Sequence, residues 1–191
     1  MSMFFTSDLH LGHQRILDEC RPQFKTTDEM DEYLINKWNE TVTDDDDVYI
    51  LGDLSYRSKH SVESYLSQMS GKKHLIIGNH DYQWMKAITD LEQYFVQVEN
   101  MCLINHGKSL LTLCHYPMLE WNRSRYANDS ATSTSWLIHG HIHNSTTLEA
   151  YRFIRRHLPC ALNAGVDINN YVPVTFEQLI DNNNHFYNRN L

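Results

Sequence analysis

No stretch of this 191-residue chain approaches the roughly 20 consecutive apolar residues that a membrane-spanning helix requires. The opening MSMFFTSD turns acidic too soon to act as a secretion signal, so the expectation is a cytoplasmic protein with no membrane partner. Positive charge is scarce as well: 16 Lys and Arg stand against 24 Asp and Glu, a formal charge of −8. A surface of that sign does not gather extended nucleic acid. It leaves room for a small phosphorylated molecule, because bound cations dominate the field around them. Cysteine is confined to positions 20, 102, 114 and 160, with no C-x-x-C pair. That argues for a reducing compartment and against a thiolate-bound structural zinc. Cys102 and Cys114 lie in apolar runs, where buried thiols act as small hydrophobes, with a disulfide between them as the alternative. Repeats, low-complexity tracts and linkers are missing too, and the length suits one domain over 1–191 with a sizeable core.

What is present is an alternation of short apolar runs and amphipathic stretches. Residues 3–6, 48–51 and 74–77 read as buried strands, and residues 14–20, 28–42 and 61–69 as helices. Met30, Tyr33, Leu34 and Trp38 share one helical face, and Thr26 with Glu29 forms a capping box. Strand, helix, strand with continuous apolar strands predicts an α/β layered domain. Beyond residue 90 the texture becomes strand-like: 94–98, 101–105, 110–114, 136–138 and 161–166, with a tight turn at 106–109. Asp44 to Asp47 reads as a solvated turn, Thr175 with Gln178 caps a final short helix, and the Asn-rich tail from 182 is expected to fray. The polar stretch 122–135 reads as an extended loop.

Five polar clusters punctuate this pattern: Asp8-Leu9-His10, Gly52-Asp53, Gly78-Asn79-His80-Asp81, His115 and Gly140-His141-Ile142-His143. Each follows an apolar run and so sits where a strand gives way to a loop. In D-x-H and H-x-H the period of two along an extended segment turns both polar side chains to one side and the central Leu9 or Ile142 to the core. Gly52 lets the backbone come close at Asp53. A carboxylate there can bridge two cations about 3.5–4 Å apart. Taken singly, each cluster is commonplace. Together, three carboxylates, an amide and five imidazoles make a mixed N/O set suited to two divalent transition metals.

The order D-x-H, G-D, G-N-H-D, H, G-H-x-H resembles that of the calcineurin-like metallophosphoesterase superfamily, over residues 8–143. The opening SDLHLGH, Arg21-Pro22, and the later Asn163, Val166-Asp167 and residues 171–174 are similar to its small bacterial and phage-borne members. The resemblance implies an α/β fold, a four-layer α/β/β/α sandwich of two mixed sheets flanked by helices. It implies that Asp8, His10, Asp53 and His143 hold one metal, and that Asp53, Asn79, His115 and His141 hold a second. His80 corresponds to the catalytic histidine. Asp81 matches a family position too, with capping of a helix near Tyr82 as its alternative role. Tyr56 stands where the Ser/Thr phosphatases of the superfamily carry an aspartate that pairs with that histidine. Arg57 matches a phosphate-binding arginine.

The chemistry expected from these residues is hydrolysis of a small, nucleotide-like phosphodiester by metal-activated hydroxide, with His80 as general acid. Mn²⁺ or Fe suits the ligand set best, Zn²⁺ is compatible, and Mg²⁺ fits five imidazoles less well. Arg57, Arg123 and Arg125, with Trp121 and Tyr126, are the candidate substrate contacts. A phosphomonoesterase or nucleotide pyrophosphohydrolase on the same site is the alternative, and a non-catalytic scaffold or a closed structural metal protein the rival class. The oligomeric state stays open, a dimer included.

Overall fold

The structure, a computed structural model, describes residues 1–190 and the side chains of residues 1–188. Strands β1 (Met3–Thr6), β2 (Asp47–Ile50), β3 (Lys72–Ile76) and β4 (Phe95–Glu99) form one sheet in that order, parallel throughout. An antiparallel bridge between Phe5 and Val174 flanks β1. The second sheet runs β5 (Met101–His106), β6 (Ser109–Cys114), β7 (Ser135–His139), β8 (Ala161–Asn163). It is mixed: β5 is antiparallel to β6, and the other pairs are parallel.

Continuous apolar strands have to be buried on both faces, and side-chain alternation sorts theirs between two cores. Phe4, Val48, Ile50 and Leu75 face one way, onto Met30, Leu34 and Trp38 of α2 (Thr27–Thr41) and Tyr65 and Leu66 of α3 (Val62–Leu66). Phe5, Tyr49, Leu51 and Ile76 face the other, onto Leu111, Leu113 and Ile138 of the second sheet. α1 (Gln14–Glu19) and α4 (Asp81–Met85) join the first helical layer; α5 (Glu149–His157) flanks the second sheet through Ile154, and α6 (Phe176–Asn190) runs along the edge strands β1 and β8. The order of layers is therefore helices, sheet, sheet, helices.

Local signals explain most boundaries. Thr26 Oγ1 accepts from Glu29 N at 3.1 Å, and Thr175 and Gln178 cap α6 reciprocally. All four cysteines are free. Three expectations change. The strand foreseen over 161–166 ends at Asn163, because Gly165 N turns back to Asn163 Oδ1 at 2.8 Å and a 3-10 turn, Val166–Ile168, follows. The tail does not fray at 182 but stays helical to Asn190. One of its asparagines faces inward: Asn183 is fully buried, accepts from Asn163 N at 2.8 Å and donates to Asn163 O at 2.9 Å. The acidic run is a turn, as read, but Asp46 is not merely solvated: it accepts from Ser2 N, Thr43 N and Thr43 Oγ1.

Candidate metal centre

The parallel strands β1, β2, β3, β6 and β7 all end on the same edge of the sandwich, and each of the five clusters lies within a few residues of one of those ends. Backbone hydrogen bonds stitch the loops together there. Asp8 N donates to Gly52 O at 3.0 Å, His10 N to Asp53 O at 2.9 Å, and Gly140 N to His115 O at 2.9 Å. Gly52 is needed at φ +82, where an added Cβ would meet Gly78 Cα and His115 Nδ1 at 2.6 Å. The D-x-H and H-x-H segments are not extended, contrary to expectation. Asp8, His10, Asp53, His141 and His143 all adopt left-handed φ, between 47° and 73°. Such backbone costs about 1–3 kcal/mol per residue and persists where its surroundings over-determine it, as at binding sites. The outcome of the expected pattern survives by another route: Leu9 and Ile142 are buried and their polar neighbours converge.

The converging atoms form two groups around Asp53. Asp8, His10 and His143 present donor atoms within 4.8 Å of one another, as do Asp53, His115 and His141. Asp53 Oδ2 stands between the two, 3.5 Å from His10 Nε2 and 3.6 Å from His115 Nε2. Asn79 Oδ1 lies 3.1 Å from both His115 Nε2 and His141 Nδ1. Ligands bound at about 2.0–2.2 Å in tetrahedral or octahedral spheres sit about 3.0–3.6 Å apart, which is the spacing found. His115 Nδ1 donates to Leu51 O at 2.7 Å, so its Nε2 lone pair is aimed at two oxygens, an arrangement a cation between them relieves. His10 Nε2 is buried with no hydrogen-bond partner among the described residues. Burial, with help from His143 and Arg21, holds His10 well below the ordinary imidazole range, hence neutral and able to coordinate. The donor set fits a pair of divalent cations.

One family model, the calcineurin-like phosphoesterases, matches residues 1–175. The chain belongs to that family. It is 29% identical over 180 residues to the uncharacterized protein MJ1445 of Methanocaldococcus jannaschii, covering 93% of this chain and 89% of the other. It is 30% identical over 191 residues to the Gene 66 protein of Mycobacterium phage L5, covering 86% of each. The solved structure of AQ665, a protein of unknown function from Aquifex aeolicus, superposes with a TM-score of 0.67 at 26% identity, covering 94% of this chain and 97% of that one. The phosphoesterase fold is thus confirmed in its layers, and the chain is a metal-dependent hydrolase of phosphate esters by family.

Behind its donor atoms this phosphoesterase carries partners that motif reading missed. Asp167 Oδ2 accepts from His143 Nδ1 at 2.8 Å, turning Nε2 toward Asp8. Asp167 is in turn paired with fully buried Arg21, 2.8 Å from Nε to Oδ1, and Arg21 also donates to the carbonyls of Asp8 and Leu9. Burial opposes charge on both acid and imidazole, but the partners win. Arg21 and His143 draw the Asp167 carboxyl down to about 2, and Asp8 and Asp167 push His143 up to about 11. A cation taking His143 Nε2 therefore displaces a proton. Asp81 does not cap α4 through its side chain: His80 is the N-cap, and the buried Asp81 carboxylate accepts from Gly78 N, Asp53 N, Leu54 N and Trp84 Nε1. It holds the second and third clusters in register. Burial raises its pKa, as it does that of Asp53. The sequence signals for Arg21 and Asp167 were present, but a lone Arg and a lone Asp 146 residues apart do not announce a pair.

His80 stands at the open side of this phosphoesterase centre, its Nε2 3.8 Å from Asp53 Oδ2 and its backbone N donating to Asp53 Oδ1 at 2.9 Å. Two hollows share His80, Tyr56 and Arg57 in their walls. One, of about 250 Å³, is walled by Val62, Trp84 and Ala87; the other, of about 530 Å³, by His13, Gln14 and Arg15. Arg57 lines both and has no carboxylate partner among the described residues. Arg123 and Arg125 line a different hollow of about 410 Å³ with Glu120 and Trp121, and neither borders the two at His80. No helix among the described residues is long and apolar enough to cross a membrane.

Proposed function

We propose that this chain hydrolyses small phosphodiesters at a two-cation centre, with Asp8, His10, Asp53 and His143 holding one ion and Asp53, Asn79, His115 and His141 the other. The observation that carries this reading is Asp53 Oδ2 flanked at 3.5 and 3.6 Å by imidazole nitrogens from the two donor groups. When bound, two divalent cations supply Lewis acidity to the phosphoryl oxygens and lower the pKa of a water toward neutrality. The nitrogen-rich set favours Mn²⁺ or Fe, with Zn²⁺ compatible.

The chain's own residues supply the rest. His80, next to Asp53 yet reachable from both hollows, donates a proton to the departing alkoxide. Arg57, exposed and paired with no acid among the described residues, neutralises the phosphate beside the hollows it lines. Two hollows that share one histidine suit a phosphorus bearing two organic arms, which favours a diester over a monoester. Arms of nucleotide size fit volumes of about 250 and 530 Å³. Arg123 and Arg125 are left with at most a distal contact, since they border neither hollow.

The test is metal analysis plus turnover of bis-p-nitrophenyl phosphate, p-nitrophenyl phosphate, cyclic nucleotides, dinucleotides and nucleoside diphosphates. Expected are two equivalents of metal and the highest kcat/KM on a diester. His80→Ala should lower kcat by about 10²–10⁴-fold with metal content intact, and Asp53→Asn should lose metal as well. Preference for the monoester or the diphosphate would favour those activities instead. Undiminished diester turnover by His80→Ala would remove its role.

A further inference from the structure

In this chain the residue three beyond Asp53 is Tyr56, and no carboxylate hydrogen-bonds the His80 ring among the described residues, Asp53 Oδ2 standing 3.8 Å from its Nε2. A general acid with a free ring would rotate out of line. What the structure places against the ring is the ring of Tyr56: the two centroids are 4.0 Å apart with the planes tilted by 49°. The other rings near His80 are farther, His10 at 5.2 Å and His13 at 6.0 Å.

Tyr56 is itself built in. Leu11 N donates to Leu54 O at 2.9 Å, and Tyr56 N and Ser55 Oγ donate back to Leu11 O at 3.4 and 2.8 Å. The segment carrying Tyr56 is thus tied to the loop carrying His10. Arg57 turns left-handed at φ 50° and lays its guanidinium over the Tyr56 ring, 5.0 Å from its centroid, while His13 meets the same ring edge-on at 4.9 Å and 82°. The Tyr56 hydroxyl makes no hydrogen bond among the described residues, so the ring, not the oxygen, is the working part. We infer that Tyr56 is the positioning residue of the general acid: packing of its ring fixes the His80 imidazole where a carboxylate pair does so in the related phosphatases. This rests on the phosphodiesterase reading of His80.

The experiment is a double-mutant cycle on the manganese-loaded full chain with bis-p-nitrophenyl phosphate, comparing Tyr56→Phe, Tyr56→Leu, His80→Ala and Tyr56→Leu/His80→Ala. Tyr56→Leu should lower kcat by about 10²-fold, the scale of a misplaced reacting group, with little change in KM. Tyr56→Phe should restore turnover, and Tyr56→Leu should add nothing in the His80→Ala background. NMR of the metal-free protein gives an independent readout. The ring-current shift on the His80 ring protons should vanish in Tyr56→Leu and persist in Tyr56→Phe. A rise in KM alone would make Tyr56 a substrate contact, a loss in Tyr56→Phe would assign the work to its hydroxyl, and additive losses would place it outside His80 action; each overturns the inference. If His80→Ala itself retains full activity, the reading of the site fails first, and the NMR shift still reports on the contact.

Discussion

Asp167 lies behind the phosphoesterase donor set, yet two of its chemical demands meet there. It neutralises Arg21, which is fully buried, and it orients His143 through Nδ1. Removing one partner of a buried ion pair leaves the other charge uncompensated. Asp167→Asn keeps the volume and drops the charge, so the folded state should lose about 3–5 kcal/mol. Mn²⁺ affinity should fall by about 10–100-fold, the usual cost of a lost partner behind a metal ligand. Urea denaturation and calorimetric titration with Mn²⁺ measure the two; a variant unchanged in both would show that Arg21 and His143 find other partners. At this scale the sequence offered seven candidate metal ligands because they cluster in motifs. It concealed Arg21 and Asp167 as supports, since single residues carry no spacing signal and their meeting depends on how the 3-10 turn at Val166–Ile168 folds back; Asp81 stood in a motif, but its bonds to the loop after β2 are tertiary.

At the scale of elements, the start of β1 depends on a turn before β2. Asp46 accepts from Ser2 N at 2.6 Å, Thr43 Oγ1 at 2.7 Å and Thr43 N at 3.0 Å, and these bonds, that of Ser2 foremost, hold its carboxyl at about 2. Its unfolded value is about 3.9. Because the folded pKa is the lower one, the stabilisation is complete above pH ~4 and is lost as pH falls through about 2. Asp46→Ala should therefore melt below the natural protein at pH 6, with the gap narrowing below pH ~4. Thermal melts from pH 6 to pH 2.5 follow this. A gap that stays constant over that range would mean that carboxylate charge is not what anchors the strand. Strand and helix placement was legible where apolar runs are continuous or capping residues stand at the right spacing, as at Thr26 and Thr175. It failed at α6, where Asn183, which looks solvent-seeking in sequence, pairs with the buried backbone N–H and C=O of Asn163. It failed also at the left-handed Asp8, His10, His141 and His143, where tertiary hydrogen bonds, not local preference, set the backbone.

For the molecule as a whole, the candidate centre is also a seam. Asp8, His10, Asp53 and Asn79 follow strands of the parallel sheet, whereas His115, His141 and His143 follow strands of the mixed one. Both donor groups draw on both sheets: His143 joins Asp8 and His10, and Asp53 joins His115 and His141. Cations held there would tie the two sheets at one edge and dilute the repulsion between Asp8 and Asp53, which adds to burial, the larger cause, in raising the Asp53 pKa. Binding that favours only the folded state adds about 2.7 kcal/mol at a ligand concentration a hundredfold above Kd. At about 2–4 °C per kcal/mol for a chain of this size, Mn²⁺ should raise the melting temperature by about 5–10 °C and chelation should reverse it. Hydrogen exchange should localise the protection to the loops after β1, β2, β6 and β7, on both sheets at once. Protection confined to one sheet would mean that the two groups do not share their ions. A melting temperature indifferent to both manganese and chelator would leave the donor atoms without the cations that their spacing calls for.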